Sequence, residues 1–263
     1  MLQGLEWERL NDYGTLLKEM EPVPDWVAKW YELYSTPFLP TSEEAKARVE
    51  QLLPKIVGHL PRKGSSVLDL CCGAGAYLFA IERAGYKVTG LDIQEPLVKE
   101  ARREAGKRKS RATIVKGDAR ALKFADGSFD AIVFLGAPTP HFSLEDFDLL
   151  AGQAFRVLKP KGRMIAEIGD SIALFLSGTY QRVLYEPSGE KDAISIHTRY
   201  DGDGGTFDRL YVDLETNKRF KGSFHVWAPY IADYVMKKAG FVLDTSESVG
   251  FRSATRLMTY RKP

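Results

Sequence analysis

The chain has 263 residues, and 37 Lys+Arg stand against 35 Asp+Glu, for a formal net charge of +2. An apolar content of 44% over a length near one large domain excludes a disordered or fibrous chain. The near-neutral balance argues against a nucleic-acid binder driven by bulk charge, no apolar run reaches a membrane span, and the adjacent Cys71 and Cys72 fit neither a disulfide scaffold nor a zinc knuckle.

Met1 to Leu10 carries Glu6, Glu8 and Arg9 and no apolar stretch of the secretory kind, so the chain reads as soluble and cytoplasmic. Residues 1–41 are rich in aromatics, among them Trp7, Trp26, Trp30, Tyr31 and Tyr34. Pro22, Pro24, Pro37 and Pro40 break this segment into short helical pieces, a candidate lid. Thr41-Ser-Glu-Glu44 has the form of a capping box. The helix it opens carries Val49, Leu52, Leu53, Ile56 and Val57 on one face.

From Ser66 strand and helix patterns alternate. Strands are predicted at Val67–Leu70, Lys87–Asp92, Ala112–Lys116, Phe129–Leu135 and Arg163–Ile168. Helices follow the first to about Ala84 and the second near 95–105, and Ser143 caps another that runs to Leu158. Lys159-Pro-Lys-Gly162 reads as a turn before the fifth strand. Such alternation specifies an α/β fold, a mostly parallel sheet with helices on both faces.

Residues 171–227 break the rhythm. Ala193–Tyr200, Thr206–Leu214 and Arg219–Trp227 each alternate with period two, separated by turn-like Asp201-Gly-Asp-Gly-Gly205 and Glu215-Thr-Asn-Lys218. This predicts an antiparallel meander inserted into the α/β core. Helical spacing returns at Ala228–Lys238, Gly240 stops it, and strands near 241–247 and 254–261 close the chain.

The informative segment is Val67-Leu-Asp-Leu-Cys-Cys-Gly-Ala-Gly-Ala76: a strand, an acidic residue, a turn with Gly73 and Gly75, then a helix. A dinucleotide fingerprint calls for a third glycine at position 78, which is Leu, and Asp69 would repel a pyrophosphate. Asp69 suits a cationic ligand instead. A vicinal cysteine pair in this turn reads as small packing residues, since no activating partner is recognisable.

Here the chain resembles the class I S-adenosylmethionine-dependent methyltransferases. Their first motif runs strand–Asp/Glu–x–Gly–x–Gly–x–Gly; Asp69, Cys71, Gly73 and Gly75 occupy its first four marked positions. Cys71 replaces the first glycine and Tyr77 the last. Gly90-Leu-Asp-Ile93, Gly117-Asp-Ala119, Ser128–Phe134, Leu158-Lys-Pro-Lys-Gly-Arg163 and Lys238-Ala-Gly-Phe241 resemble later motifs of the family in order. The resemblance covers about 42–170 and 228–263 and implies a doubly wound seven-stranded sheet. It also implies S-adenosylmethionine as cofactor and S-adenosylhomocysteine as product.

By the same resemblance, Asp69 faces the cationic methionine end, Asp92 the ribose hydroxyls and Asp118 the adenine amino group. Cys71, Gly73, Gly75, Ile93, Ala119 and Leu135 complete the implied cofactor site. The plain alternative for each aspartate is a helix cap or turn residue. The loop Leu135–Phe142 would border donor and acceptor; its His141 is a candidate base, against a loop histidine merely bonded near a helix start. It lacks the Asn/Asp-Pro-Pro-Tyr/Phe motif of enzymes that methylate bases or glutamine.

Acceptor contacts are expected from Tyr31 and from the meander. There His197 and Arg199 share a face of the first strand, Arg209 and Tyr211 one of the second, and His225 and Trp227 one of the third. A solvent-facing sheet surface is the competing reading. The basic run Lys99–Arg111 reads as a solvated helix face. No metal ligand set is recognisable, and the oligomeric state is not legible. Methyl transfer to a small molecule follows from the resemblance and the weak net charge. The alternatives are an RNA or protein methyltransferase and a non-catalytic cofactor-binding module, with a nicotinamide oxidoreductase disfavoured by Asp69 and Leu78.

Overall fold

Ser42, not Thr41, caps the helix that follows. In the computed structural model, which describes Val27 and residues 39–176, 181–188, 191–249 and 254–263, helix α1 spans Glu43–His59 and the Ser42 hydroxyl accepts from the Ala45 N–H at 3.1 Å. Two serine/threonine side chains compete in Thr-Ser-Glu-Glu, and the backbone turn chooses the second.

The alternating region gives β1 (Ser66–Leu70), α2 (Ala76–Arg83), β2 (Lys87–Asp92), α3 (Glu95–Arg108), β3 (Thr113–Lys116) and β4 (Phe129–Phe134). A short 3-10 turn at Thr139–His141 precedes α4 (Leu144–Val157), which Ser143 caps by accepting from the Asp146 N–H at 3.1 Å. Strand β5 runs over Leu158–Gly169, α5 over Ser171–Leu176 and α6 over Pro229–Lys238, and β10 (Val242–Val249) and β11 (Thr255–Arg261) end the chain. The expected turn at Lys159–Gly162 lies within β5 as a bulge. Phe129 pairs with Leu158, but Ala131 pairs with Arg163. The looped-out residues stay in the sheet because the Lys161 N–H donates to Lys262 O at 3.0 Å and the Lys262 N–H to Gly162 O at 2.9 Å.

The sheet order is β10-β11-β5-β4-β1-β2-β3. Strands β1 to β5 are parallel, and β11 is antiparallel to both β5 and β10. Strand β4 is buried on both faces, which is why it reads as an unbroken apolar run. One face packs Leu68, Ile132 and Met164 against α4 and α6; the other packs Val67, Val133 and Ile165 against α1 and α2. The order reverses between β1 and β4, so the carboxyl ends of these strands open the crevice where such sheets bind ligands.

A second sheet, order β6-β7-β8-β9, is built from Val183–Ser188, Lys191–Asp201, Thr206–Asp213 and Arg219–His225. Three strands were expected; β6 is the addition. The described residues divide into two units, one containing Gln181–Phe224 and the other lying within Ser35–Tyr180 and His225–Pro263. Within the first, Ala193, Ser195, Tyr211, Phe220 and Phe224 are buried, and Tyr211 stacks on Phe220 at 4.9 Å.

Two expectations about the meander change. A bulge between His197 and Arg199 sets Arg199 opposite Asp208, so Arg199 leaves the face that carries His197 and Arg209. Trp227 lies beyond β9 in the core of the larger unit: its indole N–H donates to Phe142 O at 3.0 Å and its ring meets Phe147 at 4.8 Å. Among the described residues no helix is long and apolar enough to cross a membrane.

Candidate active site

The turn after β1 is bonded to the end of β2. Asp92 is buried, its Oδ2 accepts the Gly73 N–H at 2.8 Å, and its Oδ1 accepts the Gln94 N–H at 2.8 Å. Each oxygen keeps a further lone pair for a ligand hydroxyl. The Cys72 N–H donates to Leu91 O at 3.1 Å, and the Gly75 N–H to Cys72 O at 2.9 Å, which closes the turn.

Gly73 takes φ +53 and Gly75 φ +93, and Gly75 begins α2. A Cβ at Gly75 would stand 2.7 Å from the Phe79 ring. Cys71, at the position where the resembled motif has glycine, carries φ +58. Glycine reaches that region without a steric penalty; a cysteine there stores strain of about 1 kcal/mol.

Asp69 is the buried acid of β1, in register with Gly90 of β2 and Val133 of β4. Its Oδ2 is buried without a hydrogen-bond partner among the described residues. Burial, and then the nearby Asp92 charge, pushes its carboxyl well above the ordinary range. Asp92 is also raised by burial, opposed by the amides it accepts. The Cys71 thiol, partly buried, is pushed up by desolvation and by the charges of Asp92, Asp69 and Asp118, which disfavours its thiolate. These four side chains therefore converge at the carboxyl edge. An orphaned buried acceptor among acids is what a cationic ligand satisfies.

Beyond this core the edge becomes more apolar. Ile93, just past β2, is 50% exposed, and Ala119 and Leu135 are buried. Asp118 is committed to Arg120, which donates to both its oxygens at 2.7–3.1 Å and reaches Asp146 at 2.8 Å. That bonding holds the Asp118 carboxyl below its usual value. An adenine contact through Asp118 must use the lone pairs that Arg120 leaves.

His141 sits in the 3-10 turn after β4. Burial, and secondarily His225, lowers its pKa to about 4, so the ring is neutral at pH 7. His225 is placed with the core; its pKa is lowered by burial against Asp146 and Glu145. The structure thus brings His225 toward His141. In the smaller unit Arg209 pairs with Glu186 and Ser195 and lies over Tyr211 at 5.1 Å, and His197 is lowered to about 4 by burial and the Arg209 charge. Tyr211 is fully buried, whereas Arg199 is exposed and lies near Asp201. Tyr31 and the other N-terminal aromatics lie outside the described residues. The basic helix α3 is a paired surface: Arg103 bonds Glu100, and Lys107 and Arg108 bond Glu104.

One group is invisible to motif reading. Glu167 on β5 is fully buried, accepts the Gly136 N–H at 2.8 Å and pairs with Arg48 of α1. Tyr77 lies beside them, its hydroxyl raised by burial and by Glu167. An unpaired buried carboxylate would cost several kcal/mol, and the only hint in the sequence is an acid inside an apolar strand.

Residues 67–162 match the methyltransferase domain family. The chain is 38% identical over 131 residues to a ubiquinone/menaquinone biosynthesis C-methyltransferase of Paracoccus denitrificans, covering 46% of this chain and 50% of that one. It is 37% identical to a demethylmenaquinone methyltransferase of Lactococcus lactis, over 39% of this chain and 41% of the relative. The chain thus spans about half, or less, of the length of these curated relatives. Among solved structures, the PH0226 protein of Pyrococcus horikoshii OT3 superposes with a TM-score of 0.72 at 26% identity, covering 89% of this chain and 99% of that one.

Proposed function

Since the core of the chain is a class I S-adenosylmethionine-dependent methyltransferase domain, we propose that the protein transfers a methyl group from that cofactor to a small-molecule acceptor. The observation that carries this reading is the acidic edge: the orphaned Asp69 Oδ2 beside Asp92, whose two oxygens are already set by backbone amides. S-adenosylmethionine supplies a methyl group activated on a sulfonium. Asp69 takes the cationic methionine end, Asp92 the ribose hydroxyls, and Ile93 and Asp118 the adenine. Gly73 and Gly75 let the backbone approach the ligand.

The protein's main task is then to align the acceptor and exclude water. Where the acceptor must lose a proton, His141, neutral at pH 7 and on the loop after β4, is the residue to receive it. The insertion is the acceptor-specificity element in this reading. Its chain leaves after β5 and returns into α6, and its two ends are tied where the Ser171 N–H donates to Trp227 O at 2.8 Å. His197, Arg209 and His225 are its polar candidates.

The test is incubation of the purified chain with methyl-labelled cofactor and a cell extract that is then fractionated. Label in the small-molecule fraction is the expected result. Label in RNA or polypeptide would replace the acceptor class, and no label despite cofactor binding would make the protein a non-catalytic binding module.

A further inference from the structure

Glu167 holds two distant parts of the chain at once. It has no exposed surface, and its register on β5 sets it opposite Leu257. Oε1 receives Arg48, which reaches in from α1 across 119 positions of sequence. Oε2 receives the Gly136 N–H at 2.8 Å. Gly136 and the following Ala137 take φ +88 and φ +51, so the chain after β4 reverses sharply and turns that amide back into the sheet. The same loop continues directly into the turn that carries His141. On the other side Tyr77, in the first turn of α2, packs in one apolar cluster with Val49 and Leu52 of the helix that carries Arg48, and its buried hydroxyl, which makes no hydrogen bond among the described residues, feels the Glu167 and Arg48 charges. Glu167 is fully buried while the Arg48 side chain stays 44% exposed, so the desolvation cost falls on the carboxylate, which is offset by the Arg48 charge and the Gly136 amide together.

We propose that Glu167 is a positioning residue that couples the cofactor turn to the loop bearing His141. By fixing Arg48 beside Tyr77 and the Gly136 amide at the same carboxylate, it makes ordering of the turn 71–76 and ordering of the loop 135–142 one event. This rests on the cofactor reading above. Glu167 touches neither the methyl donor nor the acceptor; it acts through Gly136 and Arg48.

The experiment is amide hydrogen exchange on the full chain with and without S-adenosylhomocysteine, for wild type, Glu167→Gln and Arg48→Lys. In the wild type the ligand slows exchange in both 71–76 and 135–142. Glutamine still accepts from Gly136 but leaves Arg48 without its counter-charge. In that variant protection of 71–76 persists, while the ligand-induced protection of 135–142 falls by about fivefold or more. Arg48→Lys keeps a cation on a differently shaped head and gives a partial loss, which also serves if Glu167→Gln fails to fold. Full wild-type protection of 135–142 in either folded variant overturns the coupling and leaves the cofactor reading standing. A wild type that shows no response to the ligand overturns the cofactor reading and the coupling with it.

Discussion

The Gly73 N–H donates to Asp92 Oδ2 at 2.8 Å, so the glycine turn after β1 and the acid at the end of β2 form one bonded unit. In the proposed reading a ribose held by Asp92 is thereby held against the turn. The acid fixes the backbone of that turn, and each of its oxygens keeps a lone pair for a further donor.

Asp69 should report ligand binding as proton release. Its carboxyl is raised by burial and by Asp92. An acid whose folded pKa lies above its unfolded value of about 3.9 stabilises the fold below that value, and loses this contribution as pH rises through the folded value. A cationic ligand reverses the shift, so the proton leaves on binding. Titrating S-adenosylmethionine calorimetrically in buffers of different ionisation enthalpy should show release that Asp69→Asn abolishes. Equal proton release by wild type and variant would remove Asp69 from the cation site.

Gly75→Ala should destabilise the fold and weaken the cofactor site together. The position has φ +93, and the added Cβ meets Phe79 at 2.7 Å. The dihedral alone costs about 1–2 kcal/mol, which lowers Tm by a few degrees. Affinity for S-adenosylhomocysteine should fall by about tenfold, since the turn must move to relieve the contact. Thermal melts and titration of the variant check both.

His141 has a depressed pKa of about 4, and the sign of its effect is that of a group buried neutral. Its contribution to stability is full above the unfolded value of about 6.5 and is lost as pH falls toward 4, by up to roughly 3 kcal/mol. Denaturant midpoints at pH 7 and pH 4.5 should therefore differ less in His141→Gln than in wild type. Where the acceptor requires deprotonation, the same variant should lose about 100-fold in kcat with cofactor affinity unchanged within twofold.

Arg209→Met should damage the insertion. It removes the cation from Glu186, which among the described residues then keeps only the Ser195 hydroxyl as donor inside a largely buried cluster. The cost is about 3 kcal/mol. Limited proteolysis should cut within 181–224 faster in the variant, while binding of S-adenosylhomocysteine stays within twofold. Unchanged cleavage would mean that the pair does not hold that sheet.

The parts of this molecule written in local chemistry were legible in its sequence. Strand β2 falls at Lys87–Asp92 as its pattern predicts, and Ser143 caps α4 because one hydroxyl there meets one helix start. Asp69, Asp92 and Cys71 could be set at the crevice because strand ends and glycine turns are short-range signals. What escaped depends on long-range or competing choices. Strand β6 is short, ends in Pro-Ser and lies at the sheet edge, where no period-two signal is required. The bulge that turns Arg199 away shifts a register that alternation alone cannot report. The bond between Arg48 and Glu167 spans 119 positions, and no spacing rule connects them.

The most direct test is calorimetric titration of S-adenosylhomocysteine and of NAD into the purified chain and into Asp92→Ala. The variant removes the acceptor of the Gly73 and Gln94 amides as well as the proposed ribose contact. The reading predicts one site for S-adenosylhomocysteine, a loss of about tenfold or more in the variant, and no comparable heat with NAD. Tighter binding of NAD, or equal affinity of wild type and Asp92→Ala for S-adenosylhomocysteine, would contradict it.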